Sequence, residues 1–138
     1  MQAVAENRTI LKDASGARVV AAEQTTMQIT ATLVDETGEA VPLAGLSALT
    51  LTLYNRDSAA QEIINSVNAV NILNAGRGTM HATSGLLTIT LLPADNAIID
   101  SANDLEWHRA LVQGSYGGGV KAVKYEIDFQ VRNLSKVS

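Results

Sequence analysis

The chain has 138 residues, a formal charge of −4 and no cysteine. That length suits one domain. The absence of cysteine excludes disulfides, thiol chemistry and cysteine-ligated zinc.

The acidity is uneven. Residues 1–69 carry four Lys or Arg and eight Asp or Glu, whereas residues 70–138 carry six of each. No basic stripe stands ready for nucleic acid. The opening "MQAVAENRTILKDASG" lacks a cationic stretch leading into an apolar core, so it does not read as a secretory leader. No apolar run nears the roughly 18 residues of a membrane span. The aromatics are Tyr54, Trp107, Tyr116, Tyr125 and Phe129, fewer than a sugar-binding platform needs.

Residues 1–24 have no clear period. They read as an extended N-terminal arm, or an arm leading into a first strand around residues 17–21, ahead of a domain over 25–138. Met27, Ile29, Ala31 and Leu33 then alternate with polar residues, which predicts a strand. "DETGEAVP" follows as a turn, with Gly38 at positive φ and Pro42 ending the pairing. In "LSALTLTLYNR", Leu49, Leu51 and Leu53 are expected inward, and Thr50, Thr52 and Tyr54 outward.

The stretch from Ile63 to Asn74 is rich in asparagine, which disfavours a helix interior. It reads as short strands joined by turns. "SGLLTITLLP" is a firm strand with Leu87, Ile89 and Leu91 inward. Pro93 and Asp95 predict a single helical turn. "LEWHRALVQGSY" is a strand of mixed pattern, with Trp107 as the expected core aromatic. Gly117, Gly118 and Gly119 make a hairpin turn into "VKYEIDFQVRN", whose alternation never slips. That strand reads as one dry face and one wet face, available to a neighbour if it lies at a sheet edge. The sum is an all-β, antiparallel, immunoglobulin-like β-sandwich of seven or eight strands, with one short helical turn.

No catalytic constellation emerges. His108, Asp104 and Ser101 have the wrong order and crowding for a nucleophile elbow. His81 is isolated. Asp95, Asn96, Asp100, Asn103 and Asp104 do not match a calcium loop and read as turn caps. The "GSYGGG" stretch joins two strands and is no phosphate loop. Tyr54 and Arg56 form an expected exposed pair of the kind that anchors interfaces.

The residues "VNILNAGRGTMHATSGLLTITLLPADNAIID" and "EWHRALVQGSYGGGVKAVKYEIDFQVRNLSKV" resemble small immunoglobulin-like virion proteins of tailed bacteriophages. The shared pattern is an "LN-x-G" turn, a "TSGLLT" strand, a "P-x-D" turn, an "H-x-AL" strand and a closing "EI-F-VRNL" strand. The "G-x-x-VPLAGLSALTLTLYN" stretch resembles N-terminal domains of the baseplate-upper-protein type. The resemblance implies a structural virion protein, without enzymatic activity, cofactor or metal. It implies a capsid decoration or cement protein, or else a neck, tail or baseplate component; a host-surface or glycan-binding module is the further alternative. The implied partners are the major capsid protein and further copies of the chain in a symmetric assembly, with no nucleic acid and no membrane, in a virion assembled in the host cytoplasm. The residues expected to meet partners are Arg8, Lys12, Tyr54, Arg56, Lys124, Glu126, Asp128 and Arg132.

Overall fold

The computed structural model describes residues 4–13, 15–35, 37–57 and 60–134, with residues 4–8 described by their backbone. Nine strands occur among them: β1 (Val4–Ile10), β2 (Val20–Ala22), β3 (Met27–Thr32), β4 (Leu46–Asn55), β5 (Val70–Asn71), β6 (Gly78–Met80), β7 (Leu86–Leu91), β8 (Leu105–Tyr116) and β9 (Lys121–Arg132). Short 3-10 turns at Leu43–Gly45 and Pro93–Asn96 precede β4 and follow β7. No helix among the described residues is long and apolar enough to cross a membrane.

The fold is all-β, with two sheets. The larger runs β1-β9-β8-β4-β5, and β2 also pairs with β9. The smaller runs β3-β7-β6. Period-2 alternation puts Leu49, Leu51 and Leu53 of β4 on one face, with Val123, Tyr125, Ile127, Phe129 and Val131 of β9. Ile29, Leu87, Ile89 and Leu91 come from the smaller sheet, and all join one hydrophobic cluster. Burying each such side chain contributes about 1.5–3 kcal/mol. Tyr125 also ties the sheets by polar bonds. Its hydroxyl donates to the Thr32 carbonyl (3.1 Å) and accepts from the Val34 N–H (3.0 Å).

Three expectations change. The sandwich is not purely antiparallel, because β1 and β2 both run parallel to β9. Alternation marks a strand's faces but carries no information about its neighbour's direction. The strand count is higher, because β2, β5 and β6 have only two or three residues each. The closing strand is not an edge. β8 occupies one side of β9 over its whole length, and β1 and β2 share the other.

The segment expected as an extended arm is, over its described residues, β1, a hairpin and β2, all laid on the body of the chain. The hairpin repeats a device used once more after β3. Asp13 accepts from the N–H groups of Ser15 and Ala17 and from the Ser15 hydroxyl. Asp35 accepts in the same way from Thr37 and Glu39. "D-x-[ST]-G" thus marks the same turn twice, with Gly16 and Gly38 both at positive φ, where side chains are disfavoured. The asparagine-rich stretch is turns almost throughout. Asn65, Ser66, Ala69 and Asn74 take positive φ, and β5 is its only named strand.

At the start of β6 the backbone of Ile72 leaves no space for a side chain. A Cβ on Gly78 would stand 2.0 Å from the Ile72 carbonyl oxygen. Gly78→Ala is expected to cost at least about 2 kcal/mol, read as a lower urea midpoint with an unchanged m-value.

Candidate functional site

The outer face of the larger sheet carries a polar cluster built on Arg109 and Asp128. Register sets Tyr54, Arg109, Asp128 and Ile10 in one row across β4, β8, β9 and β1. The Arg109 guanidinium grips Asp128 with two bonds, Nε to Oδ1 at 2.6 Å and Nη2 to Oδ2 at 3.1 Å. Its Nη1 donates to the Tyr54 hydroxyl at 3.1 Å. Glu126 lies 3.8 Å from the same nitrogen.

The next row is Arg56, Trp107, Gln130 and Val20. The Arg56 N–H donates to the Trp107 carbonyl (2.8 Å), and Trp107 and Val20 both face Gln130. Trp107 is half-exposed and flanked by two guanidinium groups, Arg56 at 5.0 Å and Arg18 at 5.6 Å from the ring centroid. Such cation–π contacts are favourable by about 0.5–1 kcal/mol each at exposed sites. Arg56 also reaches Asp128 Oδ2 at 3.4 Å, so Asp128 joins the two rows. Between Arg56 and the hairpin lies an open cleft lined by Thr9, Ile10, Lys12, Arg56 and Asp128.

Most residues expected at the site meet here, though not as a wet face. Tyr54 and Asp128 are 8% and 2% exposed, so neither is a free surface group. Asp128 is buried because Arg109 and Arg56 close over it. Tyr54 sits on the outer side as expected, but the pairing of Ile63 beside it and the Arg109 guanidinium cover it. Arg56 is exposed, at 42% of its side chain. Lys12 is exposed at the rim of the cleft. Lys124 and Glu126 border a second depression on the same face. Arg132 is exposed at the end of β9, away from the cluster. Arg8 pairs with Glu126 through the backbone register; its side chain lies outside the described residues.

Arg18, Trp107 and Arg109 were not anticipated here. Trp107 is not the core aromatic: the inward residues at that end of β8 are Glu106 and His108, and Phe129 is the fully buried aromatic. The signal was present in "EWHRALV", where alternation forces Trp107 and Arg109 to share a face with Leu111.

The histidines do not form a triad or a metal site. His108 is fully buried, and its Nε2 lies 2.7 Å from Glu106 Oε1. Glu106 also accepts from the N–H groups of Ile99 and Asp100 and from Asn103. Ser101 and Asp104 instead offer their carbonyls to Asn133. His81 Nδ1 caps the turn at Thr83 and Ser84. Asp95 is buried, bidentate with Arg77 and bonded to the Leu92 N–H and Asn65. Asp100 accepts from the Ala102 N–H. Among the described residues no three His, Asp or Glu are placed to hold a metal ion.

Burial pushes His108 below its ordinary value of 6.5, against the opposing pull of Glu106. Burial acting alone would raise Glu106, but the Ile99 and Asp100 N–H groups, with His108 and Asn103, outweigh it and hold that carboxyl low. An imidazole kept neutral beside a carboxylate donates its Nε2–H to it.

Two measurements follow. Asp128→Asn leaves the Arg109 charge buried without its counter-ion and is expected to cost about 3 kcal/mol, measured by urea denaturation. Stability is also expected to fall as pH drops below 6.5, because the unfolded chain then takes up a proton that folded His108 refuses. The slope is at most about 1.4 kcal/mol per pH unit for that group. The Glu106 contribution is complete above its ordinary 4.5 and is lost progressively as pH falls from there through its lower folded value. His108→Gln flattens the first part of the profile and leaves the acid limb; melting temperatures across the pH range read both.

Comparison with protein-family models, with curated proteins and with solved structures finds no match for this chain.

Proposed function

We propose that this chain is a structural subunit of a tailed-bacteriophage virion: an immunoglobulin-like module that decorates the capsid by binding the major capsid protein without chemistry. The observation that carries this reading is the open outer face, where Trp107 stands between Arg18 and Arg56. Trp and Arg are among the residues that dominate protein interfaces, and here one Trp and two Arg reach the surface of the outer face.

The immunoglobulin-like part of the reading is supported by strand order. The series β9-β8-β4-β5 opposite β3-β7-β6 corresponds to strands G, F, C and C′ opposite B, E and D of a variable-type sandwich. The 3-10 turn at Pro93–Asn96 falls at the E-to-F crossing, where the chain changes sheets.

Electrostatics indicate what the partner presents. In a chain of formal charge −4, Lys12, Arg18 and Arg56 gather exposed at one end of the face. An acidic patch on the capsid subunit complements them. Symmetry repeats that contact, so a modest interface holds through many copies.

The test uses heads assembled without the chain, to which purified chain is added back. Arg18→Gln combined with Arg56→Gln is expected to weaken binding about tenfold or more, with the melting temperature little changed. Raised salt should weaken the unaltered chain in the same direction. Binding that ignores both changes contradicts this use of the face. Electron microscopy of the particles locates the chain: density over the head lattice supports decoration, whereas density confined to the tail axis moves the role to the neck, tail or baseplate.

A further inference from the structure

Among the described residues five strands end the two sheets: β1, β2 and β5 in the larger, β3 and β6 in the smaller. β2, β5 and β6 have two or three residues each, too few to template another strand. β3 has six residues and no charge to set a register. β1 has seven residues, "VAENRTI", without proline or lysine, the residues that commonly guard an edge.

The direction in which β1 offers its backbone is fixed. The Leu11 N–H donates to the Asp128 carbonyl at 2.8 Å. Backbone groups alternate sides along a strand, so Ala5, Asn7 and Thr9 also turn theirs towards β9. Val4, Glu6, Arg8 and Ile10 turn theirs to the open edge.

From this we infer that the open edge of β1 is a homodimer interface, in which β1 of a second copy adds antiparallel about a two-fold axis through Asn7. An antiparallel partner must match the same parity, which leaves few registers. Centring on Glu6 sets Glu6 against Glu6. Centring on Arg8 sets Arg8 against Arg8. Only the register centred on Asn7 uses all seven residues, and it sets Glu6 against Arg8 twice and Val4 against Ile10. Opposite charges in such cross-strand positions are favourable and like charges unfavourable.

The neighbouring strand extends the complementarity. Glu6 stands beside Lys124 and Arg8 beside Glu126 in the β1–β9 register. Across the dimer each row then reads Lys124, Glu6, and Arg8 and Glu126 of the second copy, with signs alternating. The isologous axis runs perpendicular to the joined sheet, so both outer faces point the same way. Two Trp107 clusters are thereby presented to one side, as a bivalent surface. The dimer does not depend on the virion assignment, and either can fail alone.

Symmetric cross-linking of the full chain tests the register. The chain has no cysteine of its own. At the axis, facing residues in a non-hydrogen-bonded antiparallel pair have Cα atoms about 4.5 Å apart, within the range a disulfide spans. Asn7→Cys is expected to give a covalent dimer under mild oxidation, while Thr9→Cys, which faces Ala5 of the second copy, stays uncross-linked. In parallel, sedimentation equilibrium of the cysteine-free chain should show a dimer whose dissociation constant rises about tenfold or more in Arg8→Glu and in Glu6→Arg. Mixing those two variants should restore pairing as a one-to-one heterodimer. A chain monomeric at every concentration overturns the inference. So does equal cross-linking at both cysteine positions, or a dimer indifferent to both charge reversals.

Discussion

β9 is the constraint on which the rest depends. It is paired along nearly its whole length on both sides, β8 on one and β1 followed by β2 on the other. Its inner residues from Val123 to Val131 supply a full row of the core. Its outer residues supply Asp128, which Arg109 and Arg56 both hold. A strand committed on two edges and two faces has one register open to it, because a one-residue slip would exchange Ile127 and Phe129 for Asp128 and Gln130 in the core.

The polar layer on the outer side follows from that commitment. Arg109 and Asp128 face each other across β8 and β9, and their two-bond pairing gives the planar geometry that a lysine would not provide. Leaving either partner unpaired there is more costly than the pair is favourable. The layer therefore fixes register as much as it stabilises. With Asp128 engaged, Arg56 is brought over Trp107, and Arg18 of the hairpin and Arg56 just beyond β4 flank one aromatic ring. The rigid part of this surface comes from buried charge, and the exposed charge lies around it.

Much of this was legible in the sequence. The strands around Ile29, Leu51, Ile89 and Ile127 follow from period-2 alternation, and the turns at Gly38 and Pro93 follow from local backbone chemistry. What alternation cannot give is the identity of a neighbour. The parallel placement of β1 beside β9 joins the two ends of the chain, and no local pattern encodes it. The wet face expected of β9 was partly dry for the same reason: Lys124, Glu126 and Arg132 keep some exposure, whereas Asp128 and Gln130 are covered by residues distant in sequence. Arg109 escaped notice because an arginine within a mixed strand carries no sign of its partner until the register is known. The "EWH" stretch misled in the opposite sense, since the residue that packs inward there is a hydrogen-bonded His108 and not Trp107.

The proposed contact with neighbouring subunits lies on the outer face of the larger sheet, at its cationic end. Amide hydrogen exchange of the chain, free and bound to assembled particles, addresses it most directly. Binding through this face should slow exchange over the hairpin between β1 and β2 and at the amides around Arg56 and Trp107, with β3, β7 and β6 unchanged. New protection confined to that smaller sheet, with the Trp107 end exchanging as in the free chain, would contradict it.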